Sequence, residues 1–99
     1  MLRSVNDIAS VMGSAFENGG AVLLTEAELG PEFFELRSRL AGELFQKMMN
    51  YSLRLALVVE EPQRYGERFA ELVYEHRSHG NIRFFRDREQ AEQWLAQNH

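Results

Sequence analysis

The sequence predicts an α/β fold, in which a small, mainly parallel sheet of three to four strands is covered by about four helices. Short apolar runs rich in β-forming residues occur at 21–24, 53–59 and 82–85. Between them lie longer segments whose apolar residues recur at helical spacing. Strands that alternate with helices imply crossover connections and parallel strands. With 99 residues, 44% of them hydrophobic, the chain forms one domain, 1–99, with a core of its own.

The first helix and the first strand are marked by boundary residues. Ser4, with Asp7 three residues later, resembles a capping box, and the glycines at 19–20 end the helical pattern. Residues 1–3 are a candidate short edge strand before this helix. The continuous apolar run at 21–24 is typical of a strand that is buried on both faces.

A Gly-Pro pair at 30–31 separates this strand from a long helical segment. On a single helical wheel Arg37 would lie in the middle of the apolar arc of that segment, and an unpaired buried arginine is costly. We therefore predict a break at 36–38. Ser38 then caps a second helix, and the phenylalanine pair at 33–34 forms a short helical turn of its own.

The second helix of this segment has an apolar face that is wider than a thin sheet can cover. The part of this face that the sheet cannot cover is formed by Phe45, Met48 and Met49. One interpretation is a deeply buried core helix, since apolar stripes at helical spacing usually are core. The other is a face for self-association or for a protein partner, because methionines beside an aromatic ring suit adaptable recognition surfaces. Gly42, in the interior of this helix, predicts a close backbone approach.

The central part of the chain predicts a strand, a loop and a helix. The strand is 53–59, with Arg54 at its end. A polar loop at 60–64 follows, and the helical pattern over 69–76 is ended by Gly80.

The last strand and helix follow at once. Residues 82–85 form the strand, and Asp87 with Gln90 resembles a capping box that opens the final helix. The apolar residues that this helix buries are Ala91, Trp94 and Leu95.

Open parallel sheets bind ligands at the carboxyl ends of their strands. The polar residues predicted at these ends, and hence the candidate ligand-pocket residues, are Thr25, Glu26, Glu60 and Asp87. The sequence shows neither a Ser-His-Asp order with suitable spacing nor a glycine-rich phosphate loop before a helix. We therefore predict no catalytic residue and no cofactor, and leave open whether the chain is an enzyme.

Glu75, His76 and His79 invite a metal or acid–base interpretation, because the two histidines are three residues apart on one helical face. A third well-placed ligand is not evident, and zinc-binding helices show a tighter signature. The alternative is a set of solvated residues at a helix end, where a protonated histidine is favoured by the helix dipole. We predict no metal site.

Composition limits the compartment and the partners. The net charge of −4 and the pI near 5.3 argue against nucleic acid, because phosphate-backbone binding needs excess positive charge. The absence of cysteine suits a reducing compartment, and no apolar run resembles a signal peptide or a membrane span. We therefore expect a cytoplasmic protein that binds neither nucleic acid nor membrane.

Several short motifs resemble a bacterial family of small uncharacterised proteins, the domain of unknown function numbered forty-one-eighty. The motifs are Phe33-Phe34-Glu35-Leu36, Leu40-Ala41-Gly42-Glu43, Gln46-Lys47, Asn50-Tyr51, Tyr74-Glu75, Phe84-Phe85 and 91–95. The resemblance covers most of the chain. One departure is His76-Arg77, which stands where the family tends to have Ser-Asn.

The order of elements is also similar to the STAS fold of sulfate transporters and anti-sigma-factor antagonists. In bacterial antagonists of that type, a serine or threonine that opens the helix after the second strand is phosphorylated and switches partner binding. The resemblance implies such a role for Ser38, which lies near the comparable place, although the Asp-Ser-Ser-Gly motif is absent. Simple helix capping is the alternative role for this serine.

The sequence leaves two hypotheses of function. The favoured one is a non-enzymatic regulatory or protein-interaction module, possible as a homodimer, whose interface candidates are Ser38, Phe45, Met48 and Met49. The alternative is a small-ligand-binding protein or a small enzyme with a pocket at the strand ends.

Overall fold

A computed structural model describes residues 2, 5–35 and 39–97. Its elements, in chain order, are α1 (Val5–Glu17), β1 (Ala21–Thr25), α2 (Glu26–Phe34), α3 (Leu40–Asn50), β2 (Arg54–Val58), a 3-10 helix (Pro62–Tyr65), α4 (Glu67–Glu75), β3 (Ile82–Phe85) and α5 (Arg88–Gln97). Helices and strands alternate as predicted. Within the described residues, none of the helices is both long and apolar enough to span a lipid bilayer.

The sheet has three parallel strands in the order β1-β2-β3, which confirms the predicted α/β class. In register, Leu23 pairs with Ala56, and Ala56 pairs with Arg83. In the candidate edge strand at 1–3, only Leu2 is described. It lies outside any strand, and its N–H donates to the carbonyls of Glu28 and Leu29 at 3.2 and 3.1 Å.

The main core lies on one face of the sheet. Side chains alternate across a strand, and Leu55 and Leu57 of β2 both point to this face. Helices α1 to α4 cover them with fully buried side chains, namely Ile8, Leu29, Phe33, Leu44, Met48 and Phe69.

A smaller core lies on the opposite face, under α5 alone. It contains the buried residues Ala56, Ala91 and Trp94, with Leu95 half-buried against them, as predicted for the final helix. Because α5 is one helix on one face, the sheet edges are less well covered than the centre. β2 is buried on both faces. In β1 only Leu24 is buried, so the prediction that this strand is buried on both faces was wrong.

The predicted break in the helical segment is confirmed, since α2 ends at Phe34 and α3 begins at Leu40. Ser38 and Arg37 lie outside the described residues. The N-cap position of α3 is held by Arg39, which has a left-handed backbone, φ 65°, and no side-chain capping hydrogen bond.

Two predictions about helix interiors and ends were wrong. Gly42 is exposed, and a Cβ built on it would meet no atom within 4 Å, so it permits no close approach. Helix α4 ends at Glu75 and not near Gly80, because the following N–H groups bond three residues back: His76 donates to Val73 and Arg77 to Tyr74.

Candidate functional site

A cleft lies between the end of α2, the 3-10 helix and the start of α4. We call it the carboxyl-edge cleft, and it is bordered by Phe34, Glu35, Tyr65, Gly66, Glu67, Arg68 and Phe69. Its volume is about 800 Å³, within the range of about 300–1,000 Å³ that is usual for small-molecule sites. One of its border residues, Tyr65, bonds Glu26 directly after β1, which connects the cleft to the edge of the sheet where open parallel sheets place their ligands.

Aromatic rings form the wall of this cleft. The rings of Phe34 and Tyr65 stack with centroids 3.7 Å apart and planes 8° apart. Phe69 contacts both edge to face, with centroids 5.0 and 5.6 Å away. The wall depends on a kink in α2 at Gly30, which has φ 77° and ψ 167°. Beyond the kink, Phe33 is fully buried in the core, whereas Phe34 is half-buried at the cleft.

Glu26 ties the strand ends to this wall. Its Oε1 accepts the Glu60 N–H at 2.9 Å, and its Oε2 accepts the hydroxyl of Tyr65 in a short hydrogen bond. One carboxylate therefore joins the residues that follow β1 and β2 to the 3-10 helix. The sequence-predicted residues Glu26 and Glu60 are brought together, although Glu60 contributes its backbone and its exposed side chain has no part in the bond.

The hydrogen bond between Glu26 and Tyr65 contributes to a pKa shift in both groups. Burial alone would raise the pKa of Glu26, but the hydrogen bonds from Tyr65 and Glu60 and the charge of Arg64 hold that pKa below its ordinary 4.5. The hydrogen bond to Glu26, followed by burial and the carboxylate charge, raises the pKa of Tyr65 above its ordinary 10.0. The pair therefore contributes stability that is lost in acid, as pH falls through the folded pKa of Glu26, and in alkali, as pH rises through that of Tyr65.

The other two predicted pocket residues act as helix caps. Thr25 precedes α2, and the Glu28 carboxylate accepts both its N–H at 2.9 Å and its hydroxyl at 3.0 Å. Asp87 precedes α5 and accepts the Gln90 N–H at 2.8 Å, as the predicted capping box requires. The Thr-Glu spacing at 25–28 is itself a capping-box pattern, which could have identified the role of Thr25 from sequence.

Sequence reasoning missed the residues that form the cleft wall. Tyr65, Arg68 and Phe34 are brought together from α2, the 3-10 helix and the start of α4. A proline-led turn that ends in a Tyr-Gly pair is the one local signal for Tyr65. Its partner Glu26 is 39 residues away along the chain, so no sequence spacing indicates the pair.

The interface predicted on α3 is corrected by the structure. Phe45 is 7% exposed and Met48 is 0% exposed, so both belong to the core. Phe45 contacts the rings of Phe33 and Phe84, because four helices share one face of the sheet and together cover most of the apolar arc of α3. Of the predicted interface residues, only Met49 is exposed, at 47%, and Ser38 lies outside the described residues.

The two histidines lie in the turn after α4 and do not share a helical face. Nδ1 of His76 donates to the Leu72 carbonyl at 2.8 Å, whereas Nδ1 of His79 accepts the N–H groups of Asn81 and Ile82 at 3.0 and 3.1 Å. Both Nδ1 atoms are thus used by the backbone. Among the described residues, no cluster of three or more His, Asp or Glu side chains is placed to hold a metal ion.

Fold and cleft define a small α/β protein, with three parallel strands and an aromatic cleft whose Tyr65 bonds the residue that follows β1. The chain belongs to the family described as domain of unknown function DUF4180, whose family model matches residues 1–95. Comparisons with curated proteins and with solved structures find no match, so the similarity to the STAS fold is not confirmed.

Most of the motif residues in 33–51, and Glu75, are either buried or exposed, whereas Phe34 is half-buried. The buried ones are Phe33, Leu40 and Ala41. The exposed ones are Gly42, Glu43, Gln46, Lys47, Asn50, Tyr51 and Glu75. Within the exposed set, the Gln46 amide donates to Asn50 at 2.9 Å, and the Tyr51 ring contacts Phe16 with centroids 5.8 Å apart.

Proposed function

We propose that this protein is a small-ligand-binding module whose ligand lies in the carboxyl-edge cleft. The observation that carries the proposal is the position of the cleft beside the Glu26–Tyr65 pair, at the carboxyl ends of β1 and β2. A volume of about 800 Å³ with a few polar groups among aromatic rings is the usual composition of a ligand site.

The border of the cleft indicates the kind of ligand. Phe34 and Tyr65 offer aromatic edges to a flat apolar group, and Tyr65 is oriented by its bond to Glu26. Arg68 adds a guanidinium with five possible donors on the same border. We therefore expect a compact planar molecule with at least one hydrogen-bond acceptor.

The experiment is a fragment titration, with indole, adenine, nicotinamide and benzamide as probes, followed by two-dimensional NMR and thermal unfolding. We expect at least one probe to raise the Tm and to shift the amide signals of 65–69. The variants Phe34→Leu and Arg68→Gln should each weaken that probe several-fold. Tyr74→Phe, at an exposed tyrosine that does not border the cleft, is the matched control.

A second function, protein contact or self-association, is favoured by one observation. Phe16 and Tyr51 are 55% and 59% exposed yet contact each other edge to face, near the ends of α1 and α3. Single exposed apolar residues are ordinary, but an aromatic pair on the surface is a usual feature of recognition sites. The regulatory role of Ser38 and the cytoplasmic location stay predictions from the sequence.

The same two-dimensional NMR spectra, together with sedimentation, distinguish ligand binding from protein contact. Probe-induced shifts near Phe16 and Tyr51, or a dimer that Tyr51→Ser dissociates, would favour protein contact. If no probe shifts the signals of 65–69 at millimolar concentration, the ligand-binding proposal is wrong.

A further inference from the structure

A second groove lies on the other side of the 3-10 helix and α4, between them and the end of β3. We call it the α4–β3 groove, and its volume is about 360 Å³. Val59, Ala70, Val73 and Phe84 give it apolar walls, and Arg77 and Arg86 lie on its border. None of these residues borders the carboxyl-edge cleft, so the two sites are separate.

The charge of this groove is unlike that of the chain. The protein carries net charge −4, yet the residues that border the groove include two arginines and no aspartate or glutamate. In the part of the chain that the structure describes, neither guanidinium pairs with a carboxylate, whereas the exposed Arg88 pairs with Glu92 at 3.3 Å. Two unneutralised arginines beside an apolar wall favour an anionic ligand.

Arg77 is held in place without an acidic partner. Its guanidinium lies 3.8 Å from the centroid of the Tyr74 ring, and its Nη1 donates to the Tyr74 carbonyl at 2.9 Å. These contacts use one face and one N–H of the guanidinium and leave its other donors for a ligand. Because the side chain is already ordered, less conformational entropy is lost when an anion binds.

We propose that the α4–β3 groove binds a small organic carboxylate with an apolar body. The carboxylate would bridge Arg77 and Arg86, and the body would lie against Val73 and Phe84. A groove of about 360 Å³ is near the lower limit of ligand sites, which suits a single ring or a short hydrocarbon chain.

The test uses phenylbutyrate as the probe, with phenylbutanol and phenylbutylamine as neutral and cationic analogues of the same shape. Binding is measured by calorimetry and by amide shifts. We expect phenylbutyrate to shift the signals of 70–77 and 84–86 and to bind at least about tenfold more tightly than either analogue, as the loss of a charge-assisted hydrogen bond implies.

Arg77→Gln and Arg86→Gln should each weaken phenylbutyrate about tenfold. Arg88→Gln removes the same charge two residues from Arg86 but outside the groove, and should leave binding unchanged. Circular dichroism and the Tm of each variant show that it is folded. If Arg77→Gln alters the fold, Arg86→Gln decides the outcome, because Arg86 is exposed.

Four results would overturn the proposal. The first is equal binding of phenylbutanol, and the second is an equal effect of Arg86→Gln and Arg88→Gln. The third is the absence of any shift in the groove at millimolar phenylbutyrate. The fourth is binding of inorganic phosphate as tight as that of phenylbutyrate, which would contradict the role given to the apolar wall. Since the cleft variants at Phe34 and Arg68 lie elsewhere, failure here is distinguishable from failure of the proposed function.

Discussion

At the scale of single residues, His79 is the titratable group whose protonation state the backbone specifies. Its Nδ1 accepts two N–H groups, from Asn81 and Ile82, at the entry to β3, and can do so only without a proton. Burial, followed by the nearby charges of His76 and Arg83, lowers the pKa of His79 below its ordinary 6.5. The hydrogen bonds and the pKa shift thus favour the same neutral form.

The shift predicts a pH dependence of stability with a definite sign. Because the unfolded chain holds this proton more tightly than the folded chain, stability rises with pH through this range. The contribution of His79 is present above about pH 6.5 and is lost as pH falls through the unfolded and then the folded pKa. His79→Asn keeps a side-chain oxygen as acceptor and does not titrate in this range, so its stability should fall less on acidification.

Urea unfolding between about pH 7.5 and pH 5.5 measures this difference, since the ordinary histidine pKa of about 6.5 lies between them. His76→Asn keeps the Nδ1 acceptor of His79 but removes a neighbouring group whose charge lowers the pKa of His79, so it should reduce the pH dependence only in part. Equal losses of stability in the wild type and in His79→Asn would contradict the prediction.

At the scale of elements, the kink in α2 determines where the side chains of Phe33 and Phe34 lie. Gly30 is buried, and its φ of 77° with ψ of 167° belongs to a backbone region that is nearly restricted to glycine. Any side chain here strains the backbone. The kink then sends Phe33 into the core and Phe34 to the cleft, so the core and the candidate site depend on one residue.

Gly30→Ala should therefore lower the free energy of unfolding by about 1–3 kcal/mol. Gly42→Ala is the matched control with the opposite sign. Gly42 lies inside α3, exposed and with open space where a Cβ would be, so alanine should stabilise the protein by about 0.5–1 kcal/mol. Chemical denaturation of both variants measures the effects, and a Gly30→Ala variant as stable as the wild type would contradict the assigned role of the kink.

These two glycines also show what the sequence could and could not specify. The alternation of helices and strands follows from local apolar patterns, and the break before α3 follows from the cost of burying Arg37. The helical pattern around Gly42 predicts a close backbone approach there, whereas the unusual backbone conformation lies at Gly30. Backbone strain depends on how α2 must pack, which a local pattern does not contain.

The same limit applies to the candidate site and to α3. Whether Phe45 and Met48 are buried depends on how much of α3 the neighbouring elements cover, and four helices together determine that. The bond between Glu26 and Tyr65 joins residues that are far apart in the chain. The rule for parallel strands indicates the edge of the sheet where Glu26 lies, and ligand binding there stays a prediction.

At the scale of the whole molecule, the sheet separates two unequal cores. Among the described residues, the main cluster contains 18 buried apolar residues from α1 to α4 and the sheet. The cluster under α5 contains three, namely Ala56, Ala91 and Trp94. Since apolar burial is the dominant stabilising term, the core under α5 contributes much less free energy than the core that four helices share on the other face.

We therefore predict that α5 opens from the sheet before the main core unfolds. Local openings of low free energy appear as weak protection in hydrogen exchange. The amides of 91–97 should exchange faster than those of β2 and α3, measured by mass spectrometry of peptide fragments. The single tryptophan, Trp94, lies at this contact, so its fluorescence should change at a lower urea concentration than the helical signal in circular dichroism.

One hydrogen bond makes the prediction sharper. The Arg54 guanidinium at the start of β2 donates to the Leu95 carbonyl at 3.0 Å and ties the end of α5 to the central strand. Arg54→Gln should speed exchange in 91–97 and leave the protection of α3 unchanged, because α3 packs on the opposite face. Arg88→Gln, at an exposed arginine on α5 that pairs with Glu92, is the control for the loss of a positive charge. Uniform protection across α3, β2 and α5 would mean that the two cores unfold as one cooperative unit, and the division by the sheet would then have no energetic meaning.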